Sequence, residues 1–565
     1  MSDVAFLFDS NDIIKTRSDR QDFVKIFFSP DENISSYRNF IDIKDIYDSY
    51  TYCNRFLKDI LDIRINKSCR DWVSIINSLM FIEIFYHFLR GTYLMKTIKR
   101  IIEENNPDCI YISKELPSYF TNYIDDKFSY ITKINGKGYN RVRWLFAGTI
   151  RMISKVFLLI VKRAGLIHKI SSDCVNKILY IIQFWRVDSE ALIPVIKKCN
   201  EKGLGFNLVA SSMGAYNKLR GEGFLPVEIE SGLSILDIIS AVMYSFFLWF
   251  KVFREFDRKA RQKGMSRTLR RLILYSDTFK PNTIFQFITT LYAIRGIYYK
   301  LKPSIIVIAD DLHSTGRASC IIAKKMGIPS ICLQNGPISV EDYGFIPVFA
   351  DRFIAWGEDV KSRFLLYGEN ENRLVVCGSP KYDDLVQNID NMERYDGEYI
   401  LYASSMYEDK EVSENIDSVK TVCKSLGRKL LISLHPSMKE DYFVNKLEDR
   451  DLEYEIERGG LLSAIKKAKL VIVGNSGAGI EAILMNRDLI IYNPGHINGF
   501  IPYAKYCAAI EVFSKEELME KVKLLLSGNI KLNDGRKRFL SAYLSGLDGE
   551  SSERVLEVIK GIRLG

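Results

Sequence analysis

The chain has 565 residues, which is too long for one ordinary core and predicts two or three domains. Hydrophobic residues make up 47% and aromatic residues 12%, and the mean hydropathy is -0.04, so the composition excludes an intrinsically disordered protein. Ten cysteines without a Cys-x-x-Cys pair argue against a zinc or disulfide framework and indicate reduced thiols in the cytoplasm. The N-terminal residues lack the basic start and long apolar run of a secretory signal, so export is not expected.

The net charge of +9 is concentrated in two segments. Residues 131–170 contain nine basic residues and no acidic one, and residues 251–271 contain nine basic residues against two acidic ones. Apolar and aromatic runs, Trp144–Ile167 and Leu233–Phe253, lie beside them, which favours an anionic membrane surface over nucleic acid as the partner. The first run suits a helix lying among lipid headgroups, although a buried helix with a solvated basic face remains an alternative. Asp237 interrupts the second run, so we do not expect it to span a membrane.

The first part of the chain, residues 1–175, has an irregular and partly helical pattern. Asn106–Ile112 resembles Lys302–Ile308, and each follows an amphipathic helix and opens a strand. We therefore expect residues 1–125 to contribute strands to the first Rossmann-like domain. Helical insertions are expected around 140–170 and 230–275.

From residue 176 onward, apolar runs alternate with helical patterns. A clear β-α-β unit is predicted over Ile178–Trp185, a helix over 188–202 and Phe206–Ser211. Further strands are predicted at Ser304–Ala309, Ile328–Leu333, Asp351–Trp356, Leu374–Cys377, Tyr399–Tyr402, Lys429–Ser433 and Leu470–Val473. Continuous apolar runs of this kind are typical of parallel strands covered on both faces.

The predicted fold class is therefore α/β, with two doubly wound Rossmann-like domains that face each other across a cleft. The first, acceptor-binding domain is placed at residues 176–345 and the second, donor-binding domain at 346–535. Residues 536–565 are predicted to contain a helix that packs back across the hinge.

The most specific motif follows the predicted strand Leu470–Val473. A loop of small residues and then an acidic residue lead into a helix; these are Gly474, Asn475, Ser476, Gly477, Gly479 and Glu481. Small residues and a helix start let a phosphate approach backbone N–H groups, and Glu481 is placed to accept hydrogen bonds from ribose hydroxyls. A plain tight turn with a stabilising first-turn glutamate is the alternative. The loop is not a P-loop, because no Gly-Lys-Ser/Thr follows.

A second motif, His435-Pro436, ends the predicted strand Lys429–Ser433. His435 at a strand end is suited to support a phosphate leaving group. The alternative is a structural histidine.

A third motif, Asp310 and Asp311, ends the predicted strand Ser304–Ala309. One of these carboxylates is a candidate general base for an acceptor hydroxyl, and capping of the next helix is the alternative. His313 and Arg317, which follow, are candidates to orient anionic groups.

Three further stretches complete the candidate sites. Gln334 and Asn335 are expected in the cleft, and Gly378 and Ser379 in the donor site. The pair Asp449 and Asp451 lies within a charged run, so we interpret it as a solvated face and predict no metal site.

Together these motifs resemble the GT-B glycosyltransferases of bacterial surface polysaccharides. The resemblance is to the capsule-biosynthesis group that includes Kdo transferases and polysialyltransferases, and more distantly to the CDP-glycerol glycerophosphotransferases of teichoic acid synthesis. Its carriers are His435-Pro436, the loop from Asn475 to Ala482 and the run from Trp356 to Pro380, and it covers about residues 300–530.

The resemblance implies a function for these residues. His435 and Ser476 would bind the nucleotide phosphate of the donor, and Asp310 or Asp311 would be the base. Gly477 departs from the family pattern, which has Thr or Ser there, and this weakens the transfer of a CMP-linked donor to this chain.

The prediction is a glycosyltransferase that moves a sugar from a nucleotide-activated donor to a cell-surface polysaccharide or lipid-linked acceptor. A CMP-linked acidic sugar such as Kdo or sialic acid is the favoured donor. Inversion is expected because no candidate nucleophile is present, and neither a metal nor another cofactor is expected. The expected location is the cytoplasm, with peripheral attachment to the inner face of the cell membrane.

Three alternatives stay open: an enzyme like UDP-N-acetylglucosamine 2-epimerase, a CDP-glycerol-type polyol-phosphate transferase, and a non-catalytic membrane-attached assembly subunit. The basic, aromatic segments speak against the epimerase, because an enzyme acting on a soluble nucleotide sugar has no need of them.

Overall fold

The protein is described by a computed structural model. It covers residues 4–7, 24–27, 110–113, 131–134, 141–165, 177–184, 186–264, 274, 279–338, 348–366, 368–388, 397–404, 409–435, 454–474, 476–494 and 501–564.

Four short strands from the N-terminal part form a parallel sheet of their own. They are β1 (Val4–Leu7), β2 (Val24–Phe27), β3 (Ile110–Ser113) and β4 (Ile131–Ile134). Their order is β2-β1-β3-β4. Contrary to the prediction, these strands do not extend the first Rossmann-like sheet, because β1 and β3 pair with each other and with β2 and β4. Helix α1 (Arg141–Gly165) follows and forms the first predicted helical insertion.

A seven-stranded parallel sheet forms the centre of the first Rossmann-like unit. Its strands are β5 (Ile178–Ile182), β6 (Phe206–Ala210), β7 (Val227–Glu228), β8 (Ile305–Ile308), β9 (Ser330–Leu333), β10 (Arg352–Ala355) and β11 (Leu374–Val376). Their order is β11-β10-β9-β8-β5-β6-β7, which is the doubly wound order with one additional strand. Every residue of β5 and β8 is buried, as their continuous apolar sequences predict.

The extent of this sheet corrects the predicted domain boundary at residues 345 and 346. Arg352 of β10 pairs with Ile331 of β9, and β11 pairs with β10. Both strands therefore belong to the first unit, because an apolar strand beside β9 satisfies its backbone hydrogen bonds there.

The helices of the first unit cover both faces of this sheet. They are α2 (Val187–Glu201), α3 (Met213–Gly221), α4 (Ile235–Gln262), α5 (Pro281–Leu301), α6 (Ser314–Met326), α7 (Glu358–Leu366) and α8 (Asp383–Gln387). Helix α4 is the second predicted helical insertion.

A six-stranded parallel sheet forms the second Rossmann-like unit. Its strands are β12 (Tyr399–Ala403), β13 (Lys429–Ser433), β14 (Tyr454–Ile456), β15 (Ala468–Val473), β16 (Asp488–Tyr492) and β17 (Ile510–Val512). Their order, β14-β13-β12-β15-β16-β17, is the classical Rossmann order. The helices of this part of the chain are α9 (Asp409–Ser425), α10 (Leu461–Lys467), α11 (Ala478–Leu484), α12 (Lys515–Leu526), α13 (Asn533–Tyr543) and α14 (Ser551–Leu564). The predicted fold class, two doubly wound units of GT-B type with helical insertions, is confirmed.

Helix α14 returns from the second unit to the first. Its side chains Val555, Leu556 and Ile559 are buried in one apolar cluster with residues of β5, β6 and α2. Asp383 accepts backbone hydrogen bonds from the first two residues of the helix, at 2.9 and 2.7 Å, and so fixes its start. The C-terminal helix therefore ties the two units together.

Candidate active site

Both units change winding direction at one pair of neighbouring strands, which is where doubly wound sheets bind ligands. In the first unit β5 lies between β6 and β8, and in the second β12 lies between β13 and β15. The candidate residues follow these strands: Asp310 comes after β8, and Ser476 after β15. The motifs of the sequence thus coincide with the switch points of the fold.

The end of β8 carries a carboxylate paired with a histidine. Asp310 is 5% exposed, and its Oδ1 accepts backbone hydrogen bonds from Leu312 (2.6 Å) and His313 (3.1 Å). Its Oδ2 lies 2.5 Å from Nδ1 of His313. Because a carboxylate oxygen only accepts hydrogen bonds, Nδ1 donates, and Nε2 of the neutral ring is the nitrogen that can take up a proton. The His313 side chain is 39% exposed, so this pair can meet a substrate.

Asp311, the other predicted base, has a structural position. It is 2% exposed, and its Oδ2 accepts hydrogen bonds from the backbone N–H groups of Phe349 (2.7 Å) and Ala350 (3.1 Å). Burial raises the pKa of Asp311 to about 6, although those hydrogen bonds and the charge of Arg317 oppose the rise. Asp311 thus holds the segment before β10 against the end of β8.

Arg317 lies in the core of the first unit and not in the cleft, contrary to the prediction. It is 1% exposed, its Nε donates to the carbonyl of Asp311 (3.1 Å), and its guanidinium lies 4.6 Å from the ring centroid of Phe349. The first turn of α6 points it inward, so it supports the loop that Asp311 holds.

A third carboxylate, Asp188, is a residue that the sequence interpretation missed. It lies in the first turn of α2, directly beyond β5, and accepts hydrogen bonds from the backbone of Gln183 and Phe184 and from the Asn335 amide, at 2.9 to 3.0 Å. Burial raises its pKa to about 6 against those hydrogen bonds, and the charge of Asp310 raises it further. The signal that could have found it is its position after the switch-point strand.

The two polar residues after β9 act within this edge of the sheet. Asn335 binds Asp188, as described, whereas Gln334 is 3% exposed and accepts a hydrogen bond from the backbone of Trp356 (2.8 Å). The Trp356 indole donates to the Gln334 carbonyl (2.9 Å). Gln334 therefore joins β9 to β10 and does not reach the cleft.

The loop after β15 is the switch point of the second unit. The Ser476 hydroxyl accepts a hydrogen bond from the backbone of Ala478 (3.3 Å) at the start of α11. Gly474 is buried at the end of the strand, and Asn475 lies outside the described residues. Because α11 has only seven residues, its dipole adds little for a phosphate, and the polar side chains nearby matter more.

Two glycines of this loop differ in how closely other atoms pack against them. A Cβ added at Gly479 would lie 2.7 Å from Cζ of Tyr503, so close packing requires glycine there. A Cβ added at Gly477 would lie 3.5 Å from Cγ of Pro337, which is an ordinary contact. The loop after β15 therefore faces the loop after β9 of the first unit.

His435 lies at the end of β13. Its backbone N–H donates to the hydroxyl of Ser404 (2.7 Å), which is buried at the end of β12, and Pro436 lies outside the described residues. Burial lowers the pKa of His435, and the positive charge of Arg186 in the first unit lowers it further. The ring is therefore neutral near pH 7, with one N–H donor and one acceptor nitrogen.

A half-buried lysine connects the two units. The Lys381 ammonium lies 3.1 Å from a carboxylate oxygen of Glu190 in α2 and 3.1 Å from Oε1 of Glu481 in α11. Burial lowers the pKa of Lys381, but the charges of Glu481 and Glu190 outweigh this and hold the pKa above its usual value. The Tyr382 hydroxyl donates to the same Oε1 (3.3 Å).

The second carboxylate oxygen of Glu481 has a different status. Oε2 is buried and has no hydrogen-bond partner within the described part of the chain. A buried carboxylate oxygen without a donor is costly, so Oε2 of Glu481 is an unmet hydrogen-bond acceptor beside the loop after β15.

Gly378 and Ser379, predicted in the donor site, lie against the C-terminal segment. Gly378 has a φ of +84°, and a Cβ there would lie 2.4 Å from the carbonyl of Ser545, so packing accounts for the glycine. The Ser379 hydroxyl is buried, without a partner among the described residues. A donor-site role for Gly378 and Ser379 therefore stays a prediction.

In the described ranges, no group of three His, Cys, Asp or Glu side chains has the arrangement of a metal site. The expected independence from metals stays a prediction.

No family model matches the chain, and no curated protein matches it. Among solved structures it is similar to UDP-GlcNAc 2-epimerase from Methanocaldococcus jannaschii, in complex with UDP-GlcNAc and UDP, with 16% identity, 68% of this chain and 99% of that chain covered, and a TM-score of 0.46. UDP-GlcNAc 2-epimerase from Neisseria meningitidis, bound to UDP-GlcNAc, gives 12% identity, 68% and 100% coverage and a TM-score of 0.47. A glycosyltransferase from Rickettsia africae has 14% identity to this chain, with 69% of this chain and 98% of that chain covered and a TM-score of 0.43. A likeness at this level concerns the fold alone.

Proposed function

We propose that this protein is a GT-B glycosyltransferase that transfers a sugar from a nucleotide-activated donor. The observation that carries the proposal is the Glu481 carboxylate, which is held on one side by Lys381 and Tyr382 and whose buried Oε2 has no hydrogen-bond partner in the described part of the chain. A ribose presents two adjacent hydroxyl donors, which suit a carboxylate that only accepts. The nucleotide would therefore lie in the second unit, with its ribose at Glu481.

The donor phosphate would lie between His435 and the Ser476 hydroxyl. These residues follow β13 and β15, the two strands that flank β12 in the second sheet. His435 is neutral and so offers an N–H, and Arg186 adds a positive charge from the facing unit. Arg186 also forms an ion pair with Glu190 (3.4 Å), so its charge does not by itself select an acidic sugar. The CMP-linked acidic sugar that the sequence favours is retained as the proposed donor.

The acceptor would bind at the edge of the first unit, where Asp310 and His313 form the base. In the transfer step, His313 takes the proton of the acceptor hydroxyl while Asp310 holds the imidazole and stabilises its positive charge. The acceptor oxygen forms a bond to the anomeric carbon, the bond from that carbon to the phosphate oxygen breaks, and the nucleotide leaves with the electron pair. His435 stabilises the departing phosphate by hydrogen bonding. One displacement of this kind inverts the anomeric centre.

The acceptor, in this proposal, is a surface polysaccharide or its lipid-linked precursor, and the reaction takes place in the cytoplasm. The products distinguish this function from its rivals. A glycosyltransferase releases nucleotide only with a glycosylated acceptor, an epimerase yields altered sugar without an acceptor, and a CDP-glycerol-type enzyme transfers a polyol phosphate and releases CMP.

The first test is nucleotide-dependent thermal stabilisation with CMP, CDP and UDP, followed by product analysis with nucleotide sugars and an oligosaccharide or lipid-linked acceptor pool. Glu481→Gln should weaken nucleotide binding by about 10- to 100-fold, because a hydrogen bond to a charged group contributes about 1.5–3 kcal/mol. Ser476→Ala and His435→Ala should weaken it as well.

The matched control is Glu520→Gln, which changes an exposed glutamate of the same unit and should bind like the unaltered protein. If no nucleotide raises the Tm, or if Glu481→Gln and Glu520→Gln behave alike, the donor site is not where we place it. Nucleotide binding without any turnover would instead support the non-catalytic assembly subunit.

A further inference from the structure

Helices α1 and α4 lie side by side on α5 at the outside of the first unit. One stripe of α4 is buried against the protein; its members are Ile238, Ala241, Ser245, Leu248, Val252, Phe256 and Ala260. Met152 of α1 is buried too, and its sulfur lies 3.4 Å from the Ser245 hydroxyl. Both helices are thus fixed to the fold by one face.

The opposite faces of these helices expose large apolar side chains, and we call them the α1–α4 surface. On α1 they are Ile150, Ile153, Phe157, Leu158, Ile160 and Val161, and on α4 they are Ile235, Leu236, Ile239, Met243, Tyr244, Phe246, Phe247 and Phe250. Leu236 is 74% exposed, Met243 72% and Phe157 69%. More than half of the exposed large apolar side chains in the described ranges lie on this surface, which a solvated surface does not explain.

Basic side chains border the α1–α4 surface. Lys251, Arg254 and Arg258 follow its aromatic end on α4, and no acid of the described residues forms an ion pair with them. The Arg254 guanidinium lies 4.9 Å from the ring centroid of Phe250, so a cation and an aromatic ring are presented together. The two acids of this stretch are paired with Lys259 and Arg261 of the same helix.

The position of the surface in the fold follows from α5. This helix leads into β8 at the amino edge of the sheet, so its N-terminus lies toward the carboxyl edge. At that N-terminus a Cβ on Gly148 of α1 would lie 3.3 Å from Pro281, and the Trp249 indole of α4 donates to the Phe279 carbonyl. The α1–α4 surface therefore reaches the side of the unit on which Asp310 lies.

We propose that the α1–α4 surface docks on an anionic lipid bilayer, with the apolar side chains among the acyl-chain boundary and Lys251, Arg254 and Arg258 at the headgroups. Charge decides the occupant: an apolar stripe bordered by unpaired cations complements a negatively charged lipid surface. Helix α4, Ile235–Gln262, is also long and apolar enough to cross a membrane by length and composition. Its buried stripe and the ion pair of Asp237 with Arg295 (2.9 Å) hold it along the protein, so it lies in the interface.

Docking brings the membrane to the acceptor side of the cleft. If the proposed function is correct, a lipid-linked acceptor would then reach Asp310 and His313 without leaving the bilayer. This consequence rests on the proposed function, whereas the docking itself does not.

The experiment is flotation of the full chain with vesicles of zwitterionic lipid alone or with about 30% anionic lipid, at low and high salt. The protein should float with anionic vesicles only and leave them at high salt. Replacing Lys251, Arg254 and Arg258 together by Gln should lower the partition coefficient by about 100-fold, since each basic residue contributes about 1 kcal/mol at an anionic surface. Phe247→Ser with Phe250→Ser should lower it at least about 10-fold, since two buried aromatic side chains are lost.

The controls change exposed basic and apolar residues elsewhere in the protein. Lys515, Lys531 and Lys537, which are exposed in the second unit, are replaced together by Gln, and the exposed Leu366 by Ser; both controls should float normally. The Tm of each variant, read without vesicles and without nucleotide, shows that it is folded. Nucleotide-dependent Tm shifts are read separately and report on the proposed function, so a failure of docking stays distinct from a failure of the proposed function.

Three outcomes would overturn docking on an anionic bilayer. Equal binding to zwitterionic vesicles would remove the role of charge, and resistance to alkaline extraction would indicate a spanning helix. A dimer that Phe247→Ser with Phe250→Ser converts to a monomer, without vesicle binding, would show that a second copy covers the surface.

Discussion

The two Rossmann-like units share one strand order but present opposite chemistry at their switch points. The edge of the first unit carries three carboxylates, and backbone or amide N–H groups already hold each of them. The edge of the second unit carries glycines, a serine, a neutral histidine and one glutamate with an unpartnered oxygen in its described surroundings. Under the proposed function, one scaffold would therefore separate proton transfer at the first edge from nucleotide binding at the second.

The physical basis of this division is burial. Carboxylates fixed by several N–H donors are well oriented and suit a base or its support, but they repel the phosphates of a nucleotide. Small residues beside a neutral histidine admit a phosphate without that repulsion. Lys381 joins the two edges, since it contacts Glu190 on one side and Glu481 on the other.

Substitutions at the switch-point edge of the first unit should have the strongest effect on catalysis. His313→Ala and Asp310→Asn should each lower kcat by about 100- to 10,000-fold, because general base catalysis contributes that much. The nucleotide-dependent Tm shift should stay unchanged, because the donor lies in the other unit. Steady-state kinetics with donor and acceptor measures the first effect, and the Tm shift measures the second. Loss of nucleotide binding in His313→Ala would contradict the division.

A smaller effect separates packing from binding at the second edge. Gly479→Ala should destabilise the protein by about 1–3 kcal/mol, because the new methyl group overlaps the Tyr503 ring. Gly477 has an ordinary helical φ of -63°, and an added Cβ would make only an ordinary contact with Pro337. The Tm of Gly477→Ala should therefore not change. If a phosphate approaches this loop, Gly477→Ala should still weaken nucleotide binding, and calorimetric unfolding with and without nucleotide measures both. Equal loss of Tm in the two variants would be the contrary result.

The smallest effect concerns pH and Asp311. Its pKa is about 6 in the folded protein against 3.8 for the ordinary group, so the folded state holds the proton more tightly. Its contribution to stability is therefore full below about pH 4 and is lost as the pH rises through about 6, which amounts to about 1–2 kcal/mol between pH 5 and pH 7.

Asp311→Asn does not titrate, so the Tm gap between the unaltered protein and this variant should narrow from pH 5 to pH 7. The exposed Asp534→Asn is the control, and its Tm gap should be the same at both pH values. A constant gap for Asp311→Asn would mean that burial does not raise its pKa.

Much of the second half of the fold could be predicted from the sequence, because its strands are continuous apolar runs. Ile305–Ile308 and Lys429–Ser433 begin and end within a residue or so of their predicted limits. In the first 140 residues the sequence located one strand, the one opening at Asn106–Ile112, and it is present as Ile110–Ser113. The other strands there were not located, since they are short and separated by long segments. The predicted domain boundary was wrong because the sequences of β10 and β11 are apolar and do not indicate which of the two sheets these strands join.

The candidate site divides similarly. The strand-end motifs correctly pointed to both switch points, since a polar residue after a buried strand is a local signal. Lys381 gave no such signal, because its importance depends on Glu190 and Glu481, which lie far away in the chain. Asp188 and Ser404 do follow buried strands, but their partners Asn335 and His435 come from distant parts of the chain.

Local sequence sets which segments become buried strands and which polar residues follow them, because apolar periodicity and turn chemistry act over a few residues. The different surroundings of the adjacent Asp310 and Asp311 depend on the tertiary structure, which pairs Asp310 with His313 and fixes Asp311 by backbone donors. The donors that fix Asp311 come from Phe349 and Ala350, which lie 38 and 39 residues further along the chain. It also decided that Arg317 points into the core and that α1 and α4 leave an apolar face uncovered, since both depend on long-range packing.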